Sequence, residues 1–61
     1  MKNTEEIYLP GKLCLVSGWY AVVWLPLGIR TGIEKIVMRG EKFPPTLKRG
    51  QGYVLVRVTE I

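Results

Sequence analysis

The chain has 61 residues, nine Lys and Arg against five Glu and no Asp, a net charge of +4, no histidine and one cysteine, Cys14. One domain is expected, able to bury only about 60% of the surface its unfolded chain exposes, and the composition excludes both an internal disulfide and a structural zinc site, which needs four Cys or His ligands. The stabilising device left to so small a core is self-association, while the scattered basic residues are compatible with nucleic acid or an anionic membrane and single out neither.

Residues 1–10 are polar and carry Glu5 and Glu6, where a signal peptide would need a basic start and an apolar stretch. With a lone thiol besides, a cytoplasmic protein is expected. Residues 1–6 should fray. Ile7-Tyr8-Leu9 is a short apolar patch ended by Pro10-Gly11, a turn pair in which Pro fixes φ ahead of a residue that tolerates positive φ. Residues 12–16 read as a first short strand, which Ser17-Gly18 breaks or bulges. Residues 18–25, Gly-Trp-Tyr-Ala-Val-Val-Trp-Leu, form the expected central strand. Period two places Trp19, Ala21, Val23 and Leu25 on one face and Tyr20, Val22 and Trp24 on the other. Both faces are apolar. A strand of that kind is buried on both sides, which in so short a chain implies a closed barrel with a partner or ligand against its outer face.

Residues 26–32 contain one proline and two glycines and read as a loop, with Leu27 and Ile29 at a tip where solvated residues are usual. A strand is expected over residues 33–38, where Ile33, Lys35 and Val37 alternate with Glu34, Ile36 and Met38. Residues 39–42 turn the chain. Phe43-Pro44-Pro45-Thr46 lacks two ladder donors and should be an extended edge segment with Phe43 pinned into the core. Residues 47–52 read as a flexible basic loop, and a final strand over residues 53–58 places Val54, Val56 and Val58 opposite Tyr53, Leu55 and Arg57. The predicted fold is all-β, a meander or small SH3-like barrel of four to five short strands. The 17 uncharged residues 13–29 reach the short edge of a membrane span. Ser17-Gly18, Pro26, Gly28 and the β-branched middle make them a poor helix, so a membrane-associated peptide ranks last.

The pattern Pro10-Gly11, Ser17-Gly18-x-Tyr20-x-Val22, Gly40-x-x-Phe43-Pro44-Pro45 and Gly52-Tyr53-x-Leu55-Val56 resembles short, mostly uncharacterised bacterial proteins of the YjzC-like family. Some such proteins carry cysteine pairs after the Phe-Pro-Pro segment in a zinc-ribbon manner. Here Thr46, Leu47, Lys48 and Arg49 stand there instead, so the resemblance implies neither a metal role nor a transferable activity.

No catalytic, cofactor or metal residue is expected, and the chain reads as a non-enzyme. Cys14 has no histidine to act as its base and lies between apolar neighbours, the setting of a buried, inert thiol. Glu5, Glu6 and Glu41 fall on a terminus and a turn, with nothing there to raise a carboxyl pKa. Gly28-Ile-Arg-Thr-Gly32 lacks the Gly-Lys-Ser/Thr ending of a phosphate loop. What remains is surplus apolar surface. Trp19, Trp24, Leu25, Leu27, Ile29, Tyr53 and Leu55 are the candidate contacts for a second copy or another protein. The alternative is a single-stranded nucleic-acid binder, stacking bases on Trp19, Tyr20, Trp24 and Tyr53 and meeting phosphates with Lys35, Arg39, Lys48 and Arg49. Protein association is favoured over it because no Lys or Arg lies between Lys12 and Arg30, so the most aromatic stretch is the least basic.

Overall fold

The structure, a computed structural model, describes residues 6–59. The expected fraying of residues 1–6 falls, Glu6 apart, outside the described residues. The fold is all-β: strands β1 (Gly18–Trp24), β2 (Ile29–Val37) and β3 (Gln51–Val58) form one antiparallel sheet in the order β2-β1-β3. The uncharged, β-branched and aromatic β1 takes the centre, the one position where both ladders and both faces can be buried. β2 follows it through a tight turn closed by a Gly28 N–H bond to the Trp24 carbonyl at 2.7 Å.

Alternation along β1 sorts the core into two clusters. Tyr20 and Val22 join Cys14, Val37, Phe43 and Tyr53 on what we call the aromatic face, with Tyr8 and Leu55 packed against them. Ala21, Val23 and Val54 form the aliphatic face with Ile7, Leu25 and Val56. Both sides of the central strand are therefore buried, as the pattern predicted. Rings dominate the first cluster: Phe43 stacks between Tyr8 and Tyr53, with centroids at 5.1 and 5.2 Å, and meets Tyr20 edge-on at 4.8 Å. Such pairs add about 0.5–1.5 kcal/mol each beyond area burial, a sizeable contribution in a domain this small.

Where four or five strands closing a barrel were expected, the described residues form three strands in an open sheet. Residues 12–16 do not form a strand. They contribute a single bridge, Leu13 to Lys42, and Tyr8 makes another to Tyr53. Pro10 and Gly11 explain the interruption, since a proline without a donor and a glycine at φ +90° turn the chain away before a ladder can grow. The two loop segments instead pair with each other across the aromatic face. Gly11 N bonds the Phe43 carbonyl and Phe43 N the Lys12 carbonyl, both at 2.8 Å, and Cys14 N bonds the Glu41 carbonyl at 2.7 Å. Phe43 is pinned into the core as expected, at 2% exposure.

Two strand boundaries also differ from expectation. β2 begins at Ile29, four residues earlier than the predicted start, because Thr31-Gly32-Ile33 bulges opposite Val22 without ending the ladder. Gly32 supplies the positive φ, +93°, that the bulge requires. β3 begins at Gln51, since Gln51 and Gly52 pair with Trp24 and Val23. A second bulge, at Val56, sets Trp19 against Arg57 but Tyr20 against Leu55.

Candidate functional site

The expected contact residues are distributed over both faces. Trp24 ends β1 on the aromatic face, 39% exposed, directly opposite Ile29 of β2, which is also exposed. Leu27 protrudes from the turn between them at 82% exposure. These three make one apolar end of the molecule. Trp19 lies on the aliphatic face, half-buried between Ile36 and Arg57, with the guanidinium carbon 5.9 Å from its ring centroid. Leu25 and Leu55 are half-buried and packed against the two core clusters. Tyr53 is a correction. It is fully buried, and its hydroxyl donates to the Pro44 carbonyl at 2.7 Å, so it offers no surface to a partner. Tyr20, its hydroxyl donating to the Val16 carbonyl, is buried too and cannot serve as a stacking platform.

Further along the aromatic face, between the sheet and residues 46–48, lies a recess of about 90 Å³ lined by Val22, Ile33, Lys35, Thr46, Leu47, Lys48 and Gln51. Val22, Ile33 and Leu47 give it aliphatic walls. Lys35, opposite Tyr20 on β2, lays its stem along the face, and Lys48 approaches from the loop. The loop is held by the Thr46 hydroxyl, which donates to the Lys48 carbonyl at 2.9 Å. Gln51, paired with Trp24 on β3, reaches the recess from the third strand. Most of the residue is covered, but its amide bonds no described residue and keeps its polar atoms open to solvent within the recess. Neither lysine forms an ion pair with a described residue.

Protein-family models, curated proteins and solved structures yield no match to this chain.

Of the four basic residues paired with the nucleic-acid alternative, the structure brings Lys35 and Lys48 together. Arg49 is exposed in the turn beyond Lys48 and outside the recess lining. Arg39 sits in the turn after β2, where its amide bonds Ser17 Oγ at 2.7 Å, at the other end of that strand from Ile29. Sequence reasoning missed Val22, Ile33, Leu47 and Gln51 as a group. One signal was available for Leu47, an aliphatic residue set in a Lys-Arg-Gly loop and now 87% exposed. None was available for Gln51, whose place in the recess depends on long-range pairing.

Cys14 is fully buried, its thiol 3.2 Å from the Val16 carbonyl and 3.6 Å from the Tyr20 hydroxyl. The Glu41 carboxylate accepts the Met38 amide at 3.0 Å, closing the turn after β2. Among the described residues no three His, Cys, Asp or Glu side chains gather into a group able to hold a metal, and no helix is long and apolar enough to cross a membrane.

Proposed function

We propose that this chain is a non-enzymatic association module that covers its apolar end, Trp24, Leu27 and Ile29, with a second copy of itself, another protein being the other partner of the same kind. The carrying observation is that these residues are exposed together where β1 turns into β2. Burying each contributes on the order of 2 kcal/mol, a large share of the stability of a domain this small. The same reading takes the bridges at Tyr8 and Leu13 as the rudiments of the fourth and fifth strands of an SH3-like barrel. Molar mass by light scattering in dilute buffer tests it. An oligomer is expected, and Trp24→Lys or Leu27→Asp should reduce it to a monomer; a mass that neither change alters defeats the proposal.

A second reading, binding of single-stranded nucleic acid, is favoured by one observation: Lys35 and Lys48 share the aromatic face with the exposed edge of Trp24. It predicts affinity that falls with salt and with loss of either lysine.

A further inference from the structure

We propose that the recess on the aromatic face is a docking site for an aliphatic side chain carried by an acidic segment of a partner protein. The inference extends the association reading to a second occupant, for none of Trp24, Leu27 and Ile29 lines the recess. Three features converge on this chemistry. Val22, Ile33 and Leu47 form aliphatic walls around a recess of about 90 Å³, room for a branched side chain. Lys35 and Lys48 stand at the rim without carboxylate partners among the described residues, so they are available to acidic residues on either side of the inserted one. The Gln51 amide lines the space, is bonded to no described residue and keeps its polar atoms open to solvent there, so a ligand can replace its water. A peptide group beside the inserted side chain would satisfy it.

Charge argues against a second copy in this position. The chain carries +4 overall, and its described carboxylates form no acidic segment: Glu6 accepts the Tyr8 hydroxyl, Glu41 the Met38 amide, and the exposed Glu34 stands beside Lys35. Single-stranded nucleic acid fits less well because the walls are aliphatic. Stacking binders present successive aromatic faces, whereas Tyr20, Phe43 and Tyr53 are buried here, Trp19 is on the opposite side of the sheet, and Trp24, exposed on this face, does not line the recess.

The test titrates the isotope-labelled full chain with a capped peptide in which one leucine is flanked on each side by two glutamates. Gln51 is the chain's one glutamine, so its side-chain amide resonances report directly on the recess. They should shift together with Val22, Ile33 and Leu47. Replacing the peptide leucine by alanine should weaken binding about tenfold or more, and Lys35→Glu or Lys48→Glu in the protein severalfold each. Gln51→Leu separates docking from folding: the midpoint of thermal unfolding should hold or rise while affinity drops severalfold. Should the Lys35 change disturb the fold, Lys48→Gln at its exposed loop position carries the same comparison. Unmoved Gln51 resonances, or binding indifferent to the lysines and the peptide leucine, would overturn the inference. So would oligodeoxythymidine binding the same residues more tightly than the peptide. Molar mass measured without peptide keeps the two proposals separable, since a monomer that binds the peptide contradicts only self-association and an oligomer that ignores it contradicts only the docking site.

Discussion

At the scale of single residues, the tightest constraint is at Gly18, where β1 enters the sheet between β2 and β3. A Cβ there would stand 2.5 Å from the Arg57 carbonyl oxygen and 2.8 Å from Leu55 Cδ1. The leucine methyl can rotate away, but the carbonyl is held in the ladder. Gly18→Ala should therefore displace the end of β3 and destabilise the fold by about 2 kcal/mol, in the range of overpacking, read as a lowered urea midpoint at unchanged slope. Tyr53 is constrained through its hydroxyl. Tyr53→Phe keeps the ring in its stack with Phe43 but leaves the Pro44 carbonyl without its 2.7 Å donor. A loss of about 1 kcal/mol is expected from chemical denaturation, the usual net value of one hydrogen bond; no loss would mean that water replaces the tyrosine there.

At the scale of elements, β2 shows what glycine does in an edge strand. Gly32 sits at φ +93° with nothing within 4 Å of a would-be Cβ, so Gly32→Ala meets no neighbour and its whole effect is backbone strain. About 1–2 kcal/mol is expected, with the amide shifts of Thr31 and Ile33 moving more than those of β3. An alanine tolerated without cost would show that the bulge relaxes. The same glycine explains why the strand was only half legible. Gly28 and Gly32 punctuate the sequence alike, yet one belongs to a turn and the other to a bulge inside a continuing ladder, and only pairing with β1 separates them. The two-sided burial of β1 was legible, because period-two alternation needs no partner to be recognised. Its consequence was misjudged, for cover comes from loop segments carrying Tyr8, Cys14 and Phe43 in place of further full strands. The candidate site was legible where exposure follows from position in a turn, as at Leu27. It failed at Tyr53, where residue type suggested an interface and a distant carbonyl decided for the core.

At the scale of the whole molecule, alkaline pH tests the aromatic cluster as a unit. Burial pushes the Tyr53 hydroxyl above the ordinary tyrosine value of 10.0. Burial also raises Tyr8, with the negative charge of Glu6 adding to it. The folded chain thus keeps protons that the unfolded chain releases, and the sign follows: unfolding is favoured wherever the unfolded state binds fewer protons. The stabilisation is fully present below pH 10 and is lost as pH rises through the raised values of the folded state. Urea midpoints should be level on this account up to about pH 9 and fall by about pH 11. Lysine deprotonation overlaps that window, so the decisive comparison is with Tyr53→Phe. Less stable near neutrality, this variant has one fewer buried hydroxyl to ionise, and its midpoint should fall less steeply, narrowing the gap to the parent chain as pH rises. Parallel curves would mean that Tyr53 ionises as readily in the folded chain as in the unfolded one, and that the cluster opens before its hydroxyls are lost.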